Sequence, residues 1–420
     1  MTYYRRVGDI PPKRHTQFRR SDGGLYAEEL MGQEGFSGAS ALLYHRHPPT
    51  ALLAADDVAE PDPGLAPNRP LLPRHLRTGR AAEAANAAGG DAGGDLVTGR
   101  TVLLGNDDVR LAVAAPSEAS GLYRNATGDE LIYLRSGALV LESVFGALDC
   151  TAGDYVVVPT GTTHRWVPVA GQPAEVLVVE AQGHVGPPAR YLSDRGQFLE
   201  HSPYCERDLH GPTAPLLADE PPDGVDVLVR HRDGLTRYRY AHHPFDVVGW
   251  DGCLYPYRFS IHDFEPITGR VHQPPPVHQT FAGPNFVVCS FVPRLLDYHP
   301  RAVPVPYNHA NTDSDEVLYY CDGDFTSRKG SGIGVGSISL HPGGFTHGPQ
   351  PGSVEAGLGK GRTEELAVMV DTFRPLLVSD GWRACEDEAY AWSWARSPEP
   401  AAAESPEADA DSSSTPTASR

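Results

Sequence analysis

The run PYNHANTDSDEVLYYCDG (306–323), followed by SISLHPGGFTHGP (337–349), decides how this chain folds. Glu316 opens the apolar stretch EVLYY, and Gly323 closes the segment seven residues later. Pro342, Gly344 and His347 then give the pattern P-x-G-x-x-H. Strand side chains alternate between faces, so Glu316, Leu318 and Tyr320 share one side, and His309 and Asn311 share parity on the strand before them. The turn-prone NTDSD reverses the chain between the two. Two imidazoles, His309 and His347, and the carboxylate of Glu316 are therefore expected to converge. Asp313 and Asp315 compete for the carboxylate position, but the glycine spacing favours Glu316.

The same pattern occurs earlier in the chain. Glu130 is followed seven residues later by Gly137, and Pro159, Gly161 and His164 repeat P-x-G-x-x-H. The separations from Glu to His are 34 and 31 residues. A tandem pair of double-stranded β-helices, two jelly-roll barrels in an all-β chain, follows from this duplication. The 44 Gly and 39 Pro suit many short strands and turns better than long helices. Tyr123 and Asn125 stand where His309 and Asn311 stand, so the first barrel is expected to keep Glu130 and His164 as a structural pair, without a metal.

Around this core the composition divides the chain. Residues 1–96 read as an N-terminal arm followed by a loop excursion, with the Ala/Gly/Asp-rich run AAEAANAAGGDAGGD inside it. Within the excursion, RPLLPRHLRT (69–78) is more apolar and reads as a docked segment. Residues 97–183 form the first barrel, 184–240 a crossing with strands leading into the second, and 241–394 the second barrel. The acidic Ser/Pro/Ala-rich stretch 395–420 reads as disordered.

The formal net charge of −19 argues against nucleic acid or an anionic membrane surface as a partner. No secretory core and no membrane-spanning run is present, so a soluble cytoplasmic protein acting on a small molecule is the expectation. Six dispersed cysteines without CxxC pairs read as ordinary thiols. His45 and His47 form an H-x-H pair interrupted at once by Pro48 and Pro49, which points to packing or subunit contact more than to a metal.

Two His and one carboxylate leave a face of an octahedron open, as in the facial triad of non-haem Fe(II) oxygenases, although zinc and manganese also accept such ligands. The motifs resemble those of the cupin superfamily. Over 3–382 the chain resembles the homogentisate 1,2-dioxygenase family through RRVGDIPPKRHTQFRR, LYAEELMGQEGF, PRHLRT, GDELIYLRSG, VVPTGTTHRW, PFDVVGWDGCLYPY and PPVHQTFAGPNFVVCSFVPR, together with the His–Glu–His set. The resemblance implies an Fe(II) enzyme of tyrosine and phenylalanine breakdown that opens a small aromatic acid with O2. It implies His309, Glu316 and His347 as iron ligands and His278 as the histidine that takes a hydroxyl proton from substrate. It further implies a trimer or hexamer.

His341 is an alternative to His278, its place before the Pro-Gly turn pointing to the outer end of the barrel. Family members carry a tyrosine where this chain has Phe325, and the step from His309 to Glu316 is one residue longer here. Tyr307 and Tyr320 are candidates to supply the missing hydroxyl, so Tyr307, Tyr320, Phe325 and His341 complete the expected substrate contacts. A ring-cleaving enzyme for a related hydroxylated aromatic acid, or a non-catalytic cupin that binds a small ligand, are the alternatives.

Overall fold

A computed structural model describes residues 3–77, 94–232 and 234–395. The expected all-β architecture is present as two double-stranded β-helices. In the first, an eight-stranded sheet has Asp154–Val158, Glu130–Ser136, Glu175–Ala181, Val109–Ala114 and Thr101–Gly105 as successive neighbours. The facing sheet runs through Gly146–Thr151, Ala138–Ser143, His164–Pro168 and Leu122–Asn125. The second β-helix is built on Gln279–Gly283, Phe286–Phe291, Leu366–Thr372, Asp315–Asp322 and Ile338–His341, in that order.

Strand parity determines what each barrel holds. Ile132 and Leu134 point into the first barrel, whereas Leu131 and Tyr133 point out toward the second. Leu318 and Tyr320 point into the second barrel, whereas Val317 and Tyr319 point back. The outward residues meet between the barrels. Tyr133 is edge-on to Tyr319 at 6.4 Å, and the hydroxyls of Tyr155 and Ser290 lie 2.8 Å apart. Such strands, buried on both faces, read as continuous apolar runs like Asp154–Val158, while the half-exposed Gly146–Thr151 alternates buried with exposed.

The interiors differ. Seventeen buried apolar residues fill the first barrel, with Trp166 and Tyr123 among them, but only five such residues, among those described, line the second. The second barrel keeps a cavity of about 180 Å³.

Both motif glycines adopt left-handed backbone angles, Gly137 at φ 73° and Gly323 at φ 89°. A Cβ on Gly323 would lie 1.9 Å from the Glu364 carbonyl oxygen, and one on Gly137 would lie 2.2 Å from that of Pro173. The E-x6-G spacing thus marks a turn where backbone meets backbone. Replacing Gly323 with alanine is expected to cost about 3 kcal/mol or more, from the left-handed strain and the displaced segment, measurable by urea unfolding.

The crossing segment departs from expectation. Val225–His231 and Gly234–Tyr240 do not lead into the second barrel. The first of them pairs in parallel with Leu122–Asn125 and extends the first barrel's sheet, because Leu228 packs into that barrel's interior. Tyr257–Ser260, expected in the second barrel, pairs with Asp154–Val158 of the first. The N-terminal segment is woven in rather than draped. Ser40–His45 pairs with Val247–Gly252, Leu52–Val58 pairs with Gly234–Tyr240, and Arg74–Leu76 caps the second barrel's sheet at Ile338–His341. That last strand is the docked part of RPLLPRHLRT, with His75 and Leu76 fully buried. Within 54–95, residues 78–93 lie outside the described part, as do 396–420 of the expected tail. No helix among the described residues is long and apolar enough to cross a membrane.

Candidate metal centre

His309, Glu316 and His347 come together at the mouth of the second barrel, each offering a ligand atom within 4.8 Å of the others. Glu316 opens its strand facing inward. His347 follows the Pro-Gly-Gly turn and forms an isolated antiparallel bridge with His309, their amides and carbonyls exchanging hydrogen bonds of 2.8 Å. The expected strand through His309 and Asn311 is reduced to that bridge, since Pro304, Pro306 and Pro349 leave no ladder to extend. Asn311 contributes its carbonyl to the turn at Gly344 and no ligand.

The imidazoles are oriented by the backbone. His309 Nδ1 lies 3.0 Å from the Tyr307 carbonyl oxygen, and His347 Nδ1 lies 3.2 Å from that of Phe345. Nδ1–H donation to these carbonyls leaves both Nε2 lone pairs facing Glu316, at 3.7 Å from Oε2 for His309 and 3.2 Å from Oε1 for His347. Burial pushes the Glu316 carboxyl up, but His309, His341 and His347 outweigh it and hold it well below the ordinary carboxylate range.

Directly across the ladder from Glu316 sits Asp371. Its Oδ1 is buried without a hydrogen-bond partner, and burial and the Glu316 charge hold its carboxyl well above the usual range. The ionised Glu316 and two inward lone pairs are a donor set that fits a divalent metal, and Asp371, whose carboxyl is held up, stands outside it. Nothing in the motif pointed to Asp371, because only strand register brings it here.

The first barrel sets a guanidinium among its carboxylates. His164 bridges to Tyr123 as His347 does to His309, and Glu130 faces Glu180 as Glu316 faces Asp371. There the Arg100 guanidinium occupies the centre, 2.8 Å from Glu130 Oε2 and 2.6 Å from Glu180 Oε1. The Tyr123 hydroxyl donates to Glu130 Oε1 at 2.8 Å, and Asn125 Nδ2 donates to it at 3.1 Å.

The other expected residues divide. His278 lines the 180 Å³ cavity, tilted against Phe291 at 4.6 Å; burial, then Arg294 and His272, push its imidazole down to about 3, so it is neutral. Tyr320 lines the cavity too, but its hydroxyl is engaged by Arg328 Nε at 3.1 Å and faces Ser339 Oγ at 3.2 Å. Three expectations need correction. Tyr307 is exposed and lines a neighbouring cleft that shares His272, Asp297 and Pro306 with the cavity, because its proline-bounded segment is not a strand. Phe325 packs edge-on behind Tyr320 at 4.9 Å, off the cavity wall. His341 is fully buried and inside, not at the outer end. It pairs directly with Glu316, with Nδ1 2.8 Å from Glu316 Oε1 and Nε2 2.9 Å from the Tyr390 hydroxyl, so it holds the Glu316 carboxylate in place and does not face the cavity.

Two arginines on the cavity wall escaped the motif reading. Arg328 is buried and spends donors on Tyr320 and on the Gly348 carbonyl at 2.6 Å. Arg294 stacks on Phe291 at 5.7 Å and donates Nη1 to the Val292 carbonyl at 3.1 Å. Among the described residues no carboxylate lies within 4.0 Å of its guanidinium, and its burial pulls its pKa down. Arg294 faces the cavity beside His278, with Glu365 and Asp297 of the same wall acting on it electrostatically.

A family model described as "Homogentisate 1,2-dioxygenase N-terminal" matches residues 107–261. The chain is 39% identical over 394 residues to "Putative dioxygenase SSO1533" of Saccharolobus solfataricus, covering 93% of this chain and 98% of that protein. It is 26% identical over 273 residues to a homogentisate 1,2-dioxygenase of Emericella nidulans, covering 61% of this chain and 59% of that one. With the corresponding protein of Nitrobacter hamburgensis the identity is 28% over 235 residues, covering 54% of this chain and 50% of that one. The matched stretch thus spans between half and three fifths of the last two relatives.

Proposed function

The chain belongs to the homogentisate 1,2-dioxygenase family of cupins, and from that membership we propose that it is an iron(II) dioxygenase that opens the ring of homogentisate to maleylacetoacetate. Both atoms of O2 enter the product, so no external reductant is required. The observation that carries this reading is the His309–Glu316–His347 set opening onto a cavity that also presents Arg294 and His278. His309, Glu316 and His347 would hold ferrous iron, which would supply binding of a phenolate and activation of dioxygen.

The protein's own groups do the rest. Arg294 takes the acetate carboxylate and so sets the ring's direction in the cavity. His278, neutral at rest, accepts the hydroxyl proton that a hydroquinone must lose to become a phenolate. Leu318 and Met369 supply apolar wall to the ring and keep bulk water from it. His341 and the backbone carbonyls of Tyr307 and Phe345 hold the ligand side chains in place, so that little reorganisation is needed when substrate arrives.

The test is oxygen uptake by protein loaded anaerobically with Fe(II), using homogentisate and gentisate in parallel. Uptake with homogentisate supports the proposal, uptake with gentisate alone moves the substrate to a related acid, and uptake with neither overturns it. In the same assay Arg294→Gln is expected to raise KM for homogentisate about a hundredfold, since a charge-assisted pair contributes up to about 3 kcal/mol. The kcat/KM for neutral methylhydroquinone should be unchanged. An equal loss on both substrates would make Arg294 structural.

A further inference from the structure

The last described turn of the chain, Tyr390–Ala395, reaches the metal centre through one intervening side chain. The Tyr390 hydroxyl lies 2.9 Å from His341 Nε2, and His341 Nδ1 lies 2.8 Å from Glu316 Oε1. All three side chains are buried. We propose that Tyr390 is a positioning residue for the metal centre: its hydroxyl fixes His341 and, through it, the Glu316 carboxylate, so that metal binding and docking of the C-terminal turn are coupled. The inference rests on His309, Glu316 and His347 being the metal ligands.

The chemistry of the three groups gives the chain of hydrogen bonds one direction. An ionised carboxylate only accepts, so His341 Nδ1 carries the proton that it gives to Glu316 Oε1. Burial keeps His341 neutral, and a neutral imidazole has a single N–H, so Nε2 is a lone pair that accepts the Tyr390 O–H. Each donor polarises the next, and the tyrosine hydroxyl thereby strengthens the hold on Oε1. The His341 ring also stacks on His347 at 4.1 Å with 18° between planes, so the ring that Tyr390 fixes backs an imidazole ligand as well as the carboxylate. Without the hydroxyl, Nε2 is left buried with no donor, and the pull toward a partner elsewhere acts on the whole ring.

The turn is fastened on both sides of Tyr390. Before it, Asp387 Oδ2 accepts from Arg77 Nη2 at 2.6 Å, and the Asp387 backbone N–H donates to the His75 carbonyl at 2.7 Å. After it, the Trp394 indole N–H donates to the Gly348 carbonyl at 3.0 Å, and Gln350 Nδ-type amide donation is replaced by its longer side chain, Nε2 giving a bond of 2.8 Å to Ser393 Oγ. Gly348 directly follows His347, so the same turn braces the chain next to a ligand. What the metal orders, the turn orders too, and such coupling is reciprocal. The Tyr390 ring itself packs at 5.1 Å from Trp394 and 5.4 Å from His75. A phenylalanine keeps those contacts, so Tyr390→Phe separates the hydrogen bond from the packing.

The experiment is Co(II) binding to the full-length, metal-stripped protein, measured by competition with a chromophoric chelator, with amide hydrogen exchange over residues 386–395 followed on the same samples. Tyr390→Phe is expected to bind Co(II) about tenfold more weakly, the low end of what loss of an outer partner costs a metal site, and to shift the visible bands of the bound ion. Arg77→Gln loosens the same turn without touching His341, and since an exposed ion pair contributes little it should bind within about twofold of the unaltered protein. Co(II) should slow exchange over 386–395 in the unaltered protein and much less in Tyr390→Phe. Equal affinity in Tyr390→Phe, an equal loss in both variants, or exchange in the turn of the unaltered protein that Co(II) does not slow would each overturn the inference. An unaltered protein that binds no Co(II) would overturn the metal centre along with it. Because none of these readouts involves oxygen uptake, failure here and failure of the ring-cleavage assay are distinguishable.

Discussion

Replacing Glu316 with alanine is expected to lower oxygen uptake on homogentisate by about a thousandfold or more and to leave the barrel mouth unable to retain iron through dialysis. Among the described residues Glu316 is the only carboxylate whose oxygens face both inward imidazoles, at 3.7 Å from His309 Nε2 and 3.2 Å from His347 Nε2. A carboxylate ligand contributes several kcal/mol of charge stabilisation at such a site, and each 1.4 kcal/mol or so is tenfold in rate. The fold should survive. The side chain sits at the first turn of its strand's inward face, and its removal leaves the Val317 and Tyr319 contacts between barrels untouched. Loss of Glu316 also frees Asp371 from a neighbouring negative charge. Iron content, oxygen uptake and far-UV circular dichroism on the same preparation check this together. A folded Glu316→Ala protein that keeps its iron and its rate would remove the centre from where we place it.

The duplicated E-x6-G and P-x-G-x-x-H patterns were legible because each has a local cause. The glycines stand at left-handed turns against a carbonyl, and alternation put Glu316, Leu318 and Tyr320 on one face, as found. What escaped was everything that depends on register between distant strands. Asp371 opposes Glu316, and His341 opposes it from the other side, yet their positions in the chain are 55 and 25 residues away. His341 looked external because nearness to a turn says nothing about which face a residue takes. Arg294 and Arg328 escaped for a different reason, since a basic residue in a loop is ordinarily solvated and only the cavity identifies these two. The strands at 225–240 were assigned to the wrong barrel because an alternating pattern shows that a strand exists without naming its neighbour.

The first barrel gives the strongest stability prediction, because its centre pairs two buried carboxylates with a buried guanidinium. Arg100 is 4% exposed, and Glu130 and Glu180 are 0% and 6% exposed in their side chains. Replacing Arg100 with methionine leaves two facing carboxylates with Arg230 as the remaining nearby cation, 3.8 Å from Glu180. Removing one partner of a buried ionic group typically costs about 3–5 kcal/mol, because the partner's charge is left uncompensated. Urea unfolding at neutral pH should show a loss of that size. Adding Glu130→Gln and Glu180→Gln to the variant should restore most of it, since the charges then vanish together.

The pH dependence separates this account from simple loss of packing. In the native protein burial pushes the Glu130 carboxyl up, but Arg100, His164 and Asn125 together hold it down at about 2. A depressed carboxyl stabilises the fold fully above its unfolded value of about 4.3, and that contribution is lost as pH falls toward 2. Without Arg100 the sign reverses. Burial and the facing Glu180 raise the Glu130 carboxyl above its unfolded value, so folding takes up a proton and the variant gains stability as pH falls. The stability gap between native protein and Arg100→Met should therefore narrow steadily between pH 7 and pH 4. A gap that stays constant across that range would mean that Arg100 acts through its methylenes against Tyr123, over whose ring its guanidinium lies at 5.5 Å, and that the first barrel does not balance its carboxylates with a built-in cation.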